Sequence, residues 1–202
     1  MRSIEQILID VGVSNIAGVD EAGRGACAGP LVVAALVLRD PFAPELASVR
    51  DSKELSESAR EDLYDVIVSS SMAISVIEIS STVIDQRGVH LANIDGMRRA
   101  VLGLESTPEY VLTDGYAIPG LGVPSLGVWK GDQVVHTISA ASIIAKVTRD
   151  RLMRLYGERY PEYGFASHKG YSTSAHLQAM KRYGVLEIHR KSFSNVSILI
   201  NN

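Results

Sequence analysis

The pattern of hydrophobic and polar positions along the chain predicts four strands. Residues 15–20 and 30–39 are apolar and bounded by glycine-rich turns, which is typical of buried strands. Residues 72–79 are rich in β-branched side chains, and residues 110–113 form a short apolar run that ends at Asp114-Gly115. Helical periodicity appears between these runs, so we expect helices and strands to alternate along the chain.

Four segments have helical periodicity: residues 56–69, 89–104, 139–156 and 172–183. The third has an apolar face and a polar face, formed by Ala140, Ile144, Val147 and Leu155 and by Ser142, Lys146 and Arg149, respectively. Residues 116–128 are rich in Gly and Pro and are predicted to be a long connection. We therefore expect an α/β fold, with residues 1–202 in one domain and a small helical C-terminal part from about residue 160 onward.

Composition narrows the class of protein. The chain is 46% hydrophobic and 21% charged, as is ordinary for a globular protein. Its longest apolar run, residues 31–38, is far shorter than the roughly 18 residues of a membrane span. The N-terminus lacks the basic and then apolar layout of a signal peptide. Cys27 is the only cysteine, so no internal disulfide and no cysteine-based metal site are expected. We predict a cytoplasmic protein with no membrane association.

Charge is distributed unevenly between the two parts of the chain. Residues 1–128 contain 9 Lys and Arg against 18 Asp and Glu, whereas residues 129–202 contain 11 against 5. The two parts therefore carry −9 and +6 within a total net charge of −3. Such a chain could hold cations on one side of a cleft and phosphates on the other. Solvated helix faces are the alternative explanation.

Four acidic residues stand where packing gives no reason for a charge. Asp20 and Glu21 end the first predicted strand, Asp114 ends the last one, and Asp132 follows a Lys-Gly pair. Carboxylates gathered at strand ends raise each other's pKa values, and a hard divalent cation such as Mg²⁺ or Mn²⁺ removes that conflict. A pair of such ions can position water and stabilise the leaving oxygen of a phosphodiester.

Each of these acids also has a structural explanation. Asp114 before glycine is a common turn residue, and Asp132 fits a polar loop. The pair Asp20-Glu21, directly after an apolar strand, is harder to explain by turn chemistry. We expect the nearby Trp129 to be a packing anchor close to Asp132.

A glycine-rich turn follows the first acidic pair. Gly23 and Gly25 would let the backbone approach a ligand closely, and Arg24 adds a planar donor fork suited to phosphate. A backbone that close to a sugar can test for the 2′-hydroxyl that distinguishes RNA from DNA. The spacing of Gly23, Gly25 and Ala28 also matches a loose dinucleotide-binding fingerprint, but that fingerprint must open a helix and a strand is predicted here.

Basic, hydroxyl and aromatic side chains further along the chain are candidates for substrate contacts: Lys53, Ser142, Lys146, Arg149 and Tyr171. The lysines and Arg149 would meet phosphates, and Tyr171 would stack on a sugar or a base. The alternatives are a solvated lysine for Lys53, a solvated helix face for residues 142–149 and a packed ring for Tyr171.

The ordered set of motifs resembles the ribonuclease HII family. The motifs are GVDEAGRG at 18–25, AGP at 28–30, DSKELS at 51–56, TDG at 113–115, KGD at 130–132, SAASIIAKVTRD at 139–150, HKGY at 168–171 and HRKSF at 189–193. The resemblance is collinear from about residue 15 to 196. Each motif alone is weak, whereas the ordered set is highly specific.

The resemblance implies a ribonuclease H-like fold, a mixed central sheet flanked by helices. It implies that two Mn²⁺ or Mg²⁺ ions are held by Asp20, Glu21, Asp114 and Asp132. It implies that the step from DNA to a ribonucleotide is sensed by Gly23, Arg24, Gly25 and Tyr171. The family cuts the RNA strand of RNA–DNA hybrids, and it cuts 5′ of ribonucleotides embedded in duplex DNA, leaving 3′-hydroxyl and 5′-phosphate ends. That activity begins ribonucleotide removal in DNA replication and repair.

The expected partners follow from the same resemblance: RNA–DNA hybrids and DNA that contains ribonucleotides. The chain has no sliding-clamp motif of the glutamine-plus-paired-aromatic type, and we expect a monomer. The rival hypothesis is a non-catalytic module on the same fold that binds hybrids. A module of that kind has no reason to keep four acidic ligands at strand ends.

Overall fold

A computed structural model describes residues 3–49 and 55–200 of the chain. In these ranges one five-stranded sheet has the order β3-β2-β1-β4-β5. Its strands are β1 (Ile16–Ala22), β2 (Leu31–Leu38), β3 (Ser71–Ile79), β4 (Tyr110–Asp114) and β5 (Ser125–Val128). β1 pairs with β2 and β2 with β3 in antiparallel fashion, while β1–β4 and β4–β5 are parallel. The predicted α/β fold with a mixed sheet is confirmed.

Both faces of the sheet are covered by other elements, as the continuous apolar sequence of β2 requires. All eight of its residues are buried. Val33, Ala35 and Val37 belong to one hydrophobic cluster and Val32, Ala34 and Leu36 to another. Successive side chains of a strand point to opposite faces, so an uninterrupted apolar run needs a covering layer on each side.

The covering layers and connections are helical. The helices of the described ranges are α1 (Ile4–Asp10), α2 (Glu57–Ser70), α3 (Ser81–Arg87), α4 (Val89–Leu102), α5 (Gly131–Val134), α6 (His136–Arg159), α7 (Phe165–His168), α8 (Ser174–Tyr183) and α9 (Ser194–Ile200). The four predicted helices correspond to α2, α4, α6 and α8. The segment predicted to be a long connection, residues 116–128, contains the edge strand β5, which the density of Gly and Pro conceals. None of these helices combines the length and the apolar character that a membrane crossing requires.

The N-terminus of α6 is fixed by an acid from a distant element. Val135 precedes the helix and has no side chain that could cap it. Glu5 of α1 is fully buried and accepts hydrogen bonds from the amides of His136 and Thr137, each at 2.8 Å. A carboxylate at this position satisfies amides that have no partner within the helix. It explains why α6 begins three residues before the predicted start.

A glycine brings α6 close to the middle of the sheet. A Cβ atom on Gly18 of β1 would lie 2.2 Å from the carbonyl carbon of Thr137, so only glycine allows this approach. The first turn of α6 therefore lies directly against the strand that carries Asp20, and the short helix α5 before it contacts β4. The sequence alone does not indicate this role of Gly18.

The C-terminal helices pack on α6 and on the loop after β1. Cys27, Met153, Phe165 and Met180 are among the buried residues of a separate hydrophobic cluster there. An isolated antiparallel bridge joins Ala28 to His189. The loop that follows β1 is therefore shaped by residues more than 140 positions away along the chain.

Candidate active site

Two of the four predicted acids meet because their strands are parallel neighbours. β1 and β4 pair in the register Val19↔Thr113. The next residues along each strand, Asp20 and Asp114, therefore lie side by side at the same end of the sheet. This convergence of acids from residues far apart in the sequence is what the predicted site requires.

Asp132 reaches the same place through the backbone that follows β5. The amide of Gly131 donates to Oδ1 of Asp114 at 2.7 Å, which fixes the start of α5 beside the end of β4. The hydroxyl of Ser139 in α6 donates to the carbonyl oxygen of Asp132 at 2.7 Å. Asp132 lies in the first turn of a helix, where the sequence suggested a loop or the start of another element.

The three aspartates form a compact oxygen cluster. Asp20, Asp114 and Asp132 each offer one carboxylate oxygen, and these oxygens all lie within 4.8 Å of one another. Asp20 and Asp132 are buried. Burial, reinforced by the neighbouring charges of Glu21 and Asp114, raises the pKa of Asp20 well above its usual value. Three acids held this close in a buried setting suit a hard divalent cation, which prefers oxygen ligands.

Glu21 lies beside this trio. Its amide donates to Oδ1 of Asp20 at 2.7 Å, and its half-buried side chain lines the two hollows that flank the aspartates. The first hollow, of about 260 Å³, also contains Gly23, Gly25, Ser142 and other predicted substrate contacts. It therefore brings most of the predicted site residues to one place.

The glycine turn rests on two buried arginines. Gly23 has φ +88°, and a Cβ atom there would lie 1.8 Å from Nε of Arg149. Arg149 donates from Nε to the carbonyl of Pro30 at 2.9 Å and from Nη2 to that of Ala28 at 3.1 Å. Arg190 donates from Nη1 to the carbonyl of Arg24 at 2.9 Å. Both arginines thus hold carbonyl groups of the loop on its inner side.

Arg190 was not among the predicted site residues, although its motif contributed to the family resemblance. It is fully buried, and this burial together with the charge of Arg149 lowers its pKa to about 9. Its second bond, from Nη2 to the carbonyl of Gly29 at 3.2 Å, spans residues 161 positions apart. No local pattern in the sequence indicates such a partner.

The structure corrects the picture of a polar face on α6. Ser142 is buried and donates to the carbonyl of Ser139 at 2.9 Å, and Arg149 is fully buried beneath the turn. Neither residue belongs to a solvated face, and Nε and Nη2 of Arg149 are bonded to carbonyl groups of the loop after β1. The apolar face is also shorter than predicted, because Leu155 is 59% exposed.

Lys146 remains at the surface of the cleft. Its Nζ pairs with Asp150 at 2.6 Å, and partial burial lowers its pKa. It lines the 260 Å³ hollow together with Ser142. Lys53, the other predicted lysine, lies outside the described residues.

Tyr171 lines the same hollow and is 41% exposed, so its ring is not simply packed. Cζ of Arg149 lies 5.5 Å from its ring centroid. Its carbonyl accepts from Nδ1 of His176 at 3.0 Å, and Nε2 of His176 meets Nε2 of His189 at 3.0 Å. The amide of Leu186 donates to Nδ1 of His189 at 2.9 Å, which favours the tautomer with the proton on Nε2 over a longer bond from Nδ1 to the carbonyl of Leu186 at 3.3 Å. In that tautomer His189 donates to His176, and His176 donates to the carbonyl of Tyr171.

This histidine chain is a feature for which the sequence suggested no role. His176 and His189 are both fully buried. Burial lowers the pKa of each ring to about 4, so both rings are neutral at pH 7. Neutral rings are what the chain of bonds needs, because each ring then has one donor and one acceptor.

Trp129 was expected to pack near Asp132, and that expectation is wrong. Its side chain is 82% exposed. It lines a second hollow, of about 290 Å³, together with Asp114 and Asp132. Tyr116 lines this hollow too, with Cζ of Arg24 lying 4.8 Å from its ring centroid.

The loop after β1 excludes the dinucleotide interpretation. Residues 23–30 form turns that lead directly into β2 instead of opening a helix. A pyrophosphate site of that kind needs the N-terminus of a helix at this position.

The sequence of the chain matches the family model for ribonuclease HII over residues 17–196. The chain belongs to the ribonuclease HII family. It is 53% identical over 201 residues to the ribonuclease HII of Rhodococcus opacus (strain B4), covering 100% of this chain and 89% of that protein. Ribonuclease HII hydrolyses RNA in RNA–DNA hybrids and at ribonucleotides embedded in DNA, so the chain is a ribonuclease H and the rival hypothesis of a non-catalytic module is set aside.

Solved structures of the family share the fold. The ribonuclease H2 from Pyrococcus horikoshii OT3 superposes with a TM-score of 0.80 at 27% identity, covering 93% of this chain and 97% of that one. The ribonuclease HII of Archaeoglobus fulgidus, solved in complex with PCNA, gives a TM-score of 0.78 at 28% identity, covering 91% of this chain and 96% of that one. The ribonuclease H-like fold expected from the motifs is therefore confirmed.

Proposed function

We propose that this ribonuclease HII cuts on the 5′ side of a ribonucleotide, leaving 3′-hydroxyl and 5′-phosphate ends, at a site formed by Asp20, Glu21, Asp114 and Asp132. The observation that carries the proposal is the trio of aspartate oxygens within 4.8 Å of one another. Ribonucleases H use divalent metal ions, and the oxygen cluster fits such ions. We assign the four acids as ligands of two Mg²⁺ or Mn²⁺ ions.

The chemistry that a pair of such ions supplies is activation of water and stabilisation of the leaving 3′-oxygen. Within the chain, Asp20 lies next to Glu21 in β1, and its carboxylate lies close to those of both Asp114 and Asp132, whose charges raise its pKa. Asp114 and Asp132 hold their places through the bond from Gly131, so the oxygen positions are set before substrate arrives.

We assign recognition of the ribonucleotide to the glycine turn and to Tyr171. Support comes from their position, because Gly23, Arg24, Gly25 and Tyr171 line the same hollow as Asp20. The exposed Gly25 leaves room for a sugar, since a Cβ atom there would meet nothing within 4 Å. Lys146 and Ser142 also line this hollow and would contact phosphate there. Arg149 supports the turn from beneath, and Lys53 stays a prediction.

The remaining partner assignments are proposals as well. The A. fulgidus protein is solved with PCNA, but this sequence lacks the glutamine-plus-paired-aromatic motif, and we propose no clamp partner. We propose that the protein works as a monomer in the cytoplasm, on DNA undergoing replication and repair. We also propose one catalytic domain whose residues after 160 support the loop that follows β1, because Arg190 bonds to Arg24 and His189 bridges to Ala28 from the segment between α8 and α9.

The test is cleavage of a DNA duplex that carries a single ribonucleotide, with both product ends mapped. We expect one cut on the 5′ side of the ribonucleotide in Mn²⁺ or Mg²⁺ and none in EDTA. Asp114→Asn should abolish the cut while the fold is kept. Asp62→Asn, which removes an exposed acid of α2, is the matched control and should cut normally. A normal rate for Asp114→Asn, or a cut on the other side, would refute the proposal.

A further inference from the structure

An exposed tryptophan stands at the edge of the carboxylate site. Trp129 is the only tryptophan of the chain, and 82% of its surface is accessible. Tryptophan is enriched at binding interfaces, because it combines a large apolar ring with a polar N–H group. Its backbone is fixed on both sides, since Gly115 donates to the carbonyl of Val128 at 2.9 Å and Gly131 donates to Asp114 at 2.7 Å.

The backbone after Trp129 adopts a conformation that is unusual for its residue type. Lys130 has φ +54°, in the left-handed region that a side chain other than glycine rarely occupies. This turn lets Gly131 reach Asp114 while the indole stays outside the fold. The site therefore presents Trp129 through the same backbone that fixes the acids.

The two hollows that flank the aspartates share Glu21, Arg24 and Asp114. A nucleic-acid strand whose scissile phosphate lies at these acids continues on both sides of that phosphate. Neighbouring nucleotides advance only about 3.4 Å along the duplex axis, so the next few nucleotides stay close to the acids. The first hollow contains the glycine turn and Tyr171. In the second hollow, Trp129 and Tyr116 supply aromatic surface and Lys130 and Arg24 supply positive charge, so it offers room for nucleotides next to the acids.

We propose that Trp129 is a substrate-contacting residue, whose indole packs against a nucleoside of the duplex that continues past the carboxylate site on the side of Lys130. The proposal rests on the proposed function, since it takes the phosphate to lie at the aspartates. An aromatic face accepts a sugar or a base of any sequence, so the contact would serve binding without reading sequence. It would lengthen the footprint of the enzyme beyond the ribonucleotide itself.

Because the chain has one tryptophan, intrinsic fluorescence reports on this residue alone. The protein is titrated in EDTA with a DNA duplex that carries one ribonucleotide, and binding is followed in parallel by the anisotropy of a labelled duplex. We expect the emission to change in step with the anisotropy and quenching by acrylamide to fall by at least about twofold at saturation. Binding without any change in emission or quenching would overturn the proposal.

Kinetics with Mn²⁺ supply the second readout. Trp129→Ala should raise KM about tenfold, which corresponds to about 1.4 kcal/mol, and leave kcat within about twofold of wild type. Trp129→Phe should restore most of the loss. Leu102→Ala, which truncates another exposed apolar residue that lines neither hollow, is the control and should leave KM unchanged. An unaltered KM for Trp129→Ala would also overturn the proposal.

The outcomes separate this inference from the proposed function. Normal cleavage by the wild type together with a silent tryptophan defeats the inference and leaves the function standing. Absence of both binding and cleavage defeats the function as well. A change in emission on concentrating the protein alone would indicate a second copy of the chain as the occupant, and the proposal would then be wrong.

Discussion

Replacing Gly23 by alanine should destabilise the protein through the arginine that lies beneath it. The new Cβ atom would lie 1.8 Å from Nε of Arg149, at a residue with φ +88°. The left-handed backbone costs roughly 1–2 kcal/mol for an L side chain. Arg149 is long enough to swing aside, but it is fully buried, and moving it breaks its bonds to the carbonyls of Pro30 and Ala28. Charged hydrogen bonds contribute roughly 1.5–3 kcal/mol each.

The expected loss for Gly23→Ala, after partial relaxation, is therefore about 3–5 kcal/mol, a large share of the stability of an ordinary domain. Urea unfolding at neutral pH measures it, and a midpoint more than about 1 M below wild type is expected. Gly25→Ala is the matched control. Its Cβ atom would meet nothing within 4 Å, so its midpoint should equal or slightly exceed that of wild type. Equal midpoints for Gly23→Ala and wild type would show that the contact with Arg149 does not restrict position 23.

Two further predictions concern buried groups that stabilise the fold around the site. Glu5→Ala leaves two amides at the start of α6 without their acceptor, so it should lower the free energy of unfolding, measured in urea, by about 2–4 kcal/mol. The control Glu45→Ala removes an exposed acid and should cost under about 0.5 kcal/mol. Equal losses in the two variants would contradict the role of Glu5 as the cap of α6. His176 and His189 have folded pKa values of about 4 against an ordinary value of 6.5, so the unfolded chain takes up their protons first. The free energy of unfolding should therefore fall as the pH drops from about 6.5 towards 4, by up to roughly 1.4 kcal/mol per pH unit for each group, and fall less steeply in His176→Gln; the same slope in both proteins would count against the assignment.

The elements that the sequence predicts well are those with strong periodicity. β2 was recognised because a strand that is buried on both faces has a continuous run of apolar residues. α6 was recognised because its buried residues recur with helical spacing. The edge strand β5 was missed because only four residues pair there, within a segment rich in turn residues. The start of α6 was missed because its cap is Glu5, which is separated from it by more than 130 positions.

The acids of the site were recognisable, but their supports were not. Asp20 and Asp114 stand at strand ends, where an acid has no packing role, and the register of β1 with β4 then brings them together. The roles of Arg149 and Arg190 depend on hydrogen bonds to backbone carbonyl groups of distant residues. Every residue type has a backbone carbonyl, so the sequence contains no pattern that identifies these partners. Trp129 was expected to pack inside the fold because tryptophan side chains are largely buried on average.

The proposed function requires Asp20, Asp114 and Asp132 to hold a divalent cation together. Isothermal titration of the protein with Mn²⁺, in the absence of nucleic acid, tests it directly. We expect saturable binding to the wild type and to Asp62→Asn, and binding at least about tenfold weaker to Asp132→Asn, because one of three clustered oxygen ligands is lost. Mn²⁺ binding of equal affinity to Asp132→Asn and the wild type would contradict the account.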